Sequence, residues 1–311
     1  MKIQSQCTSS VLMIRPASFA YNEETATNNV YQKKPDNTDS TTIQQQALLE
    51  FDALAQKLTD AGVNVIIASD TPEPRKPDAI FPNNWVSFHE DGTVILYPMF
   101  AKSRRAERRK DILQTLEKQR GFRITGILNL THFEKEGKFL EGTGSLVLDR
   151  VNQIAYASVS ERTSPELINK FCQEFNYKPL LFNATENGIP VYHTNVVLSV
   201  CDQFVVICLD YICSITEKEE LLKTFRLTQK EVFTISAKQA SSFAGNMLEL
   251  NSKKGESLLV MSATAYNSLD KEQLSFLNKY CKIIYSTLDT IEKYGGGSAR
   301  CMLAEIFLPG N

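Results

Sequence analysis

The chain has 311 residues, 42% of them hydrophobic, and carries 34 basic against 36 acidic side chains for a net charge of −2. That length suffices for one large domain or two smaller ones, and the balanced charge gives no support for a nucleic-acid partner. No apolar run approaches the ~20 residues needed to span a bilayer. Residues 1–7 lack an apolar leader core, and seven cysteines with no Cys-x-x-Cys pair imply neither a disulfide framework nor a zinc site, so a reduced cytoplasm is the expected setting.

In chain order, Val11-Leu12-Met13-Ile14 reads as an apolar strand closed by Arg15-Pro16. A polar stretch from Tyr21 to about Thr42 reads as a loop, in which Asn22 is the candidate to face a site and Glu24 and Asn28 read as surface. Leu48, Phe51, Leu54 and Leu58 have helical spacing within 43–61, Gly62 ends that helix, and Val63-Asn64-Val65-Ile66-Ile67 follows as a strand. From there one device recurs: a small polar motif, a strand, a polar turn and a returning strand. It appears at Pro82-Asn83-Asn84-Trp85, at Glu141-Gly142-Thr143-Gly144, at His193-Thr194-Asn195 and at Gly245-Asn246. Recurrence at a spacing of roughly 50–60 residues is the mark of a repeat architecture. Helical stretches fall between the hairpins at 104–120, 164–175, 216–226 and 270–281, the second opened by Ser164 at the N-cap and Pro165 at N1.

The last strand opening is Gly295-Gly296-Gly297-Ser298-Ala299-Arg300-Cys301-Met302, expected to lead into a strand that pairs with the Val11 strand. A thiol presented by a glycine turn beside a cation suits a nucleophile, because positive charge and backbone N–H groups favour the thiolate. A buried structural cysteine after a flexible loop is the competing reading. The whole reads as an α/β fold of about five hairpin-plus-helix modules in a single domain, 1–311. Arranged in a ring, the modules bring Asn83, Asn84, Glu141, His193, Asn246 and Cys301 to one central site; in an open sheet they do not meet. A converging Cys, His and Glu are the parts of covalent catalysis with acid–base help.

Three features together resemble the guanidine-modifying superfamily: Gly-Gly-Gly-x-x-Arg-Cys-Met near the C-terminus, His193 opening a strand in His-x-Asn-x-Val, and Glu141 before Gly142. That superfamily includes arginine deiminases, dimethylarginine dimethylaminohydrolases and amidinotransferases. The resemblance implies the pentein fold, a five-module pseudo-symmetric α/β propeller. The Val11 to Phe19 start, Phe81-Pro82-Asn83-Asn84-Trp85 and Glu141-Gly-Thr-Gly are similar to the citrulline-utilisation hydrolases of that superfamily. The resemblance further implies Cys301 as nucleophile, His193 as general acid/base and Glu141 as catalytic carboxylate. The segment from Asp78 to Asn84 and position Asn195 would hold the reacting group. Arg162, with Arg104 or Arg105, would hold the substrate carboxylate. No metal or organic cofactor is implied, the partner is a small amino acid, and the oligomeric state, a homodimer included, is left open.

Two positions depart from the guanidinium pattern, in which Asp occupies the places of Asn84 and Asn195. A buried guanidinium left with neutral partners costs several kcal/mol. A ureido group is neutral, and its carbonyl oxygen needs donors, which an Asn amide supplies and a carboxylate does not. The expected reaction is therefore hydrolysis of the ureido group of citrulline to ornithine, CO2 and ammonia through a covalent cysteine intermediate. An arginine deiminase-like hydrolase or amidinotransferase, with Asp78 supplying the missing charge, is the alternative within the same chemistry. A non-catalytic propeller that binds an amino acid or a protein is the alternative of another class, and a papain-like protease is disfavoured because Cys301 lies at the wrong end of the chain.

Overall fold

A two-stranded hairpin is marginal in water without a further strand or a packed face, and four hairpins of this chain each gain a third strand. The computed structural model describes residues 5–36 and 38–310. Residues 1–4, part of the segment read as lacking a leader core, position 37 in the polar stretch, and Asn311 lie outside the described residues. Val86–Phe88 pairs antiparallel with Thr93–Leu96, which pairs parallel with Gly126–Asn129. The same pattern joins Val147–Asp149, Ile154–Ser158 and Lys178–Phe182, then Leu198–Val200, Phe204–Ile207 and Glu231–Thr234, then Leu248–Asn251, Ser257–Ser262 and Lys282–Ser286. The chain ends share the remaining sheet: Ser10–Arg15 is central, parallel to Asn64–Ser69 and antiparallel to Ala304–Glu305, the pairing the sequence implied, with Val11 opposite Glu305. The described residues thus form five three-stranded sheets and one small two-stranded ribbon in a mixed α/β fold.

A parallel third strand needs a crossover, and helices supply it. The first runs over Ser40–Asp60, begins where the Asp39 carboxylate accepts the Thr41 and Thr42 N–H groups, and buries Ile43, Ala47, Phe51, Leu54 and Leu58 along one face. Lys110–Arg120 ends at Gly121 with φ +70°, and Pro165–Phe175 follows Ser164 at its N-cap position, although the Ser164 side chain makes no cap bond. Three expectations need correction. The helix read over 104–120 is two pieces, a 3₁₀ turn Lys102–Glu107 and the helix Lys110–Arg120, because Arg108 and Arg109 leave helical φ/ψ between them. The third strands beyond the first sheet went unread, since edge strands such as Gly126–Asn129 keep residues like Ile127, 52% exposed, and show no clean alternation. Cys301 does not open a strand: it sits in a 3₁₀ turn, Ala299–Met302, and the strand starts at Ala304.

That last difference is general. Asn84 ends the 3₁₀ turn Pro82–Asn84, Glu141 caps the helical turn Gly142–Ser145, and His193 caps the 3₁₀ turn Thr194–Val196. One turn of helix therefore carries the polar motif before the strands that begin at Val86, Val147, Leu198 and Ala304, while Asn246 lies in irregular chain before Leu248. Gln6, buried, links two sheets from the other side: its Nε2 donates to the carbonyls of Leu148 (2.9 Å) and Val200 (3.1 Å), and its Oε1 accepts from Arg150 N–H (2.8 Å). Among the described residues no helix is long and apolar enough to cross a membrane. Gln6→Ala leaves these buried backbone groups unpaired and is expected to destabilise the protein by about 2 kcal/mol, read as a lower urea midpoint with an unchanged slope.

Candidate active site

The four turns place their side chains in a common buried region. Glu141, with no exposed surface, lies 2.8 Å through Oε2 from His193 Nε2 and accepts the Phe100 N–H at Oε1 (3.0 Å). Arg162 Nη1 is 3.6 Å and Arg104 Nη1 3.9 Å from the same carboxylate. Burial pushes the Glu141 carboxyl up, but Arg162, His193 and Arg104 outweigh it and hold the group at about 2. Burial pulls His193 down, Glu141 pulls it up, and the two guanidinium groups oppose its protonation, leaving it at about 4. At neutral pH the pair is a carboxylate and a neutral imidazole. A carboxylate only accepts, so Nε2 carries the imidazole proton and Nδ1 is the basic nitrogen.

Nδ1 looks toward Gly144. A Cβ there would lie 2.7 Å from His193 Nδ1 and 2.4 Å from Asn84 Nδ2, so only glycine admits both groups. Gly142 has φ +46°, and a Cβ on it would meet the Asn83 carbonyl at 2.2 Å. The Gly-Thr-Gly following Glu141 is thus set by close approach. Cys301 is buried against two amides: Asn246 Nδ2 is 3.4 Å and Asn195 Nδ2 3.7 Å from its sulfur. Asn246 is oriented by its other bonds, since its Oδ1 accepts the Arg300 N–H (3.1 Å) and its Nδ2 also donates to the Asn195 carbonyl (2.9 Å). Both amides reach the sulfur with an N–H, and the thiol is also within reach of their oxygens, 3.7 Å from Asn246 Oδ1 and 4.0 Å from Asn195 Oδ1.

A narrow cavity connects Cys301, His193, Asn84 and Asp78, with Arg104, Arg162 and Tyr192 also on its wall. Its free volume is about 10 Å³, near that of a single water site. Two wall groups have an atom without a partner, Asp78 Oδ1 and Asn84 Nδ2. The other Asp78 oxygen accepts from Asn22 (2.7 Å) and Thr25 (3.3 Å), and burial pushes the Asp78 carboxyl up while Arg104 pulls it down. A larger depression of about 600 Å³ lies by Glu23, Lys34 and Arg75 and is bordered by neither Cys301 nor His193.

Several expected site residues sit elsewhere. Arg105 turns away, donating to the Met99 carbonyl (3.2 Å) and pairing with Glu134 (3.2 Å). Arg104 is in the region, but its Nε and Nη2 grip both Glu107 oxygens at 2.9 Å and its Nη1 donates to Asn84 Oδ1 at 2.9 Å, so it is committed to protein partners. Burial raises the Glu107 carboxyl to about 7 against the pull of Arg104. Arg162 is engaged by the polar stretch: Nη2 donates to the Thr25 carbonyl (2.7 Å), Nε donates to Asn28 Oδ1 (2.9 Å), and the guanidinium lies 4.8 Å from the Tyr192 ring centre. Asn83 is buried with neither amide atom bonded, and it does not border the cavity. The cation before Cys301 also points away, because Arg300 pairs with Glu305 at 2.7 Å.

The sequence reading missed Thr25, Asn29 and Tyr192 and took Phe81 only as part of the Asp78 to Asn84 segment; all four are on the cavity wall. Asn29 donates to the Gly296 carbonyl (3.2 Å), and a Cβ on Gly296, at φ +64°, would lie 2.5 Å from the Asn29 amide nitrogen. The triple glycine is therefore needed to let the polar stretch, and Phe81 against Gly295 and Gly297, close on the thiol turn. Among the described residues no group of His, Cys, Asp or Glu is placed to hold a metal ion.

A sequence model of the family described as "N,N dimethylarginine dimethylhydrolase, eukaryotic" matches residues 15–308. The chain belongs to that family. It is a pentein-fold member of the guanidine-modifying superfamily. No curated protein matches it. Among solved structures it is similar to ArgZ, an arginine dihydrolase from the ornithine-ammonia cycle in cyanobacteria, at 15% identity and TM-score 0.74, covering 97% of this chain and 41% of that one. Against the product-bound N-terminal domain of ArgZ alone it covers 96% of this chain and 99% of that domain, with TM-score 0.72 and 15% identity. It is also similar to a dimethylarginine dimethylaminohydrolase adduct with 4-chloro-2-hydroxymethylpyridine, at 16% identity, TM-score 0.65, and 96% and 100% coverage. At these identities the likeness establishes a shared fold.

The neutral His193 has a consequence for acid stability. Its folded value of about 4 lies below the unfolded value of 6.5, so the unfolded chain takes up the proton first as pH falls. Stability is expected to drop between about pH 6.5 and 4 by on the order of 3 kcal/mol, and Glu141 adds a further loss below about 4.5 for the depressed-carboxylate reason. Urea unfolding of the protein and of His193→Gln across pH 4–7 measures it; equal pH slopes in the two proteins would contradict the assignment.

Proposed function

We propose that residues 1–311 form one catalytic domain, five modules about a pseudo-fivefold axis, which hydrolyses the ureido group of citrulline to ornithine, CO2 and ammonia. One observation carries the substrate class: the wall shared by Cys301 and His193 holds an unpartnered donor, Asn84 Nδ2, and an unpartnered acceptor, Asp78 Oδ1. A ureido group offers the complement of both, a carbonyl oxygen for the amide and N–H groups for the carboxylate.

Cys301 is assigned as nucleophile, His193 as general acid/base through Nδ1, and Glu141 as the carboxylate that holds the imidazole tautomer. His193 takes the thiol proton as sulfur attacks the ureido carbon, with Asn84 Nδ2 donating to the oxygen on which charge develops. It passes that proton to the departing ammonia, leaving a carbamoyl thioester on Cys301. Water, deprotonated by His193, cleaves the thioester and restores the thiol; the carbamate of ornithine that is released loses CO2. Asn195 and Asn246 brace the sulfur. Arg162 is assigned to the substrate carboxylate, in exchange for Thr25 and Asn28, because the closed cavity is far smaller than the roughly 300 Å³ typical of ligand pockets.

A second reading, a hydrolase of a guanidino compound, is favoured by the Asp78 carboxylate and by the family description. Ammonia release from citrulline, arginine and methylarginines separates the two. Citrulline is expected to be turned over in preference to arginine, and Cys301→Ala is expected to lose at least about 10³-fold in kcat. Arginine preferred over citrulline, or retained activity in Cys301→Ala, would overturn the proposal.

A further inference from the structure

An Asn amide is a donor on one side and an acceptor on the other, and which side faces a ligand must be imposed by a neighbour of fixed polarity. At Asn84 that neighbour is Arg104. A guanidinium has five N–H donors and no acceptor, so the 2.9 Å bond from its Nη1 can only reach Oδ1, which leaves Nδ2 as the unpartnered atom. Arg104 is itself fixed: Nε and Nη2 bind both Glu107 oxygens at 2.9 Å, and Nη2 also donates to the Phe81 carbonyl at 3.2 Å. Arg104 is 2% exposed and Glu107 3%, so if either rotates the buried guanidinium charge is left unpaired. The chain of bonds runs Glu107 to Arg104 to Asn84 to the cavity.

Resting on the ureido reading above, we propose that Glu107 and Arg104 are positioning residues that set substrate specificity by holding Asn84 with its N–H pair toward the cavity. Neither touches the reacting atoms in this role. With Nδ2 presented, a carbonyl oxygen is accepted and the N–H edge of a guanidinium meets donor against donor. If Arg104 is loosened, the amide turns over, Oδ1 faces the ligand, and the preference narrows or inverts.

The test measures binding of citrulline and of arginine by calorimetry to Cys301→Ala protein, then to the same protein carrying Glu107→Gln or Arg104→Lys, the latter keeping the charge without the fork. The parent is expected to favour citrulline, and each second substitution to cut the citrulline-to-arginine affinity ratio by about tenfold, the scale of one misdirected buried hydrogen bond. Asn84→Asp, which removes the donor outright, is expected to shift the ratio further the same way. Equal losses for both ligands with an unchanged ratio would mean that Glu107 and Arg104 are only structural, and would overturn the inference; so would a parent that binds neither ligand. Citrulline turnover by the unaltered enzyme, measured alongside, reports on the proposed reaction separately, so the two failures are told apart.

Discussion

The buried carboxylate of Glu141 is the constraint around which the site is organised. Stripping a carboxylate of water costs several kcal/mol unless charged and hydrogen-bonded partners replace the water. Here Arg162, Arg104, the His193 N–H and the Phe100 N–H replace it, drawn from three segments of the chain. To bring them that close, the turn after Glu141 must be nearly free of side chains, hence Gly142 under the Asn83 carbonyl and Gly144 between Asn84 and His193. The charge on Glu141 in turn fixes the imidazole tautomer, so catalytic polarity and local fold depend on the same group.

Much of this was legible beforehand. The hairpins at Val86, Val147, Leu198 and Leu248 had apolar runs with clear turns, and the polar motif before each was visible as a recurring pattern. Glu141 and His193 stood out by opening units of that pattern, Cys301 by its glycine turn, and all three by their resemblance to the guanidine-modifying superfamily; the structure puts Glu141 2.8 Å from His193 and sets His193 and Cys301 on one cavity wall. The third strands were illegible because an edge strand half open to solvent needs no strict alternation, as Gly126–Asn129 illustrates. Arg104 and Arg105 stood as alternatives because they are alike in sequence, and only the turn Lys102–Glu107 decides which of them points inward. The inward role of Asn28, read as surface, depends on Arg162, 134 residues away, and no local signal marks such a pairing.

The direction of Asn84 shows where composition stops being informative. An Asn in a site is compatible with a urea or a guanidinium until the polarity of its neighbour is known, and the neighbour, Arg104, was expected to bind substrate instead. Its five donors are largely spent on Glu107, Phe81 and Asn84, which makes it part of the wall.

Charge and hydrogen-bond direction then pull the site in opposite senses. Asp78, Glu107 and Glu141 face two guanidinium groups, with His193 neutral; burial raises Asp78 and holds Glu107 at about 7, so the charges come close to balance and a cation is drawn chiefly by the Asp78 carboxylate. Asn84 opposes this with a donor where a guanidinium needs an acceptor. At an effective dielectric near 20, one unit charge about 5 Å away contributes about 3 kcal/mol, and a buried donor left facing another donor forfeits about 1–3 kcal/mol. The two effects are of one size, and the Asp78 oxygens that would supply the attraction already serve Asn22 and Thr25 on one side. Under the proposed ureido reading, discrimination between a urea and a guanidinium therefore turns on the orientation of a single amide, in a pocket whose charge alone would admit either.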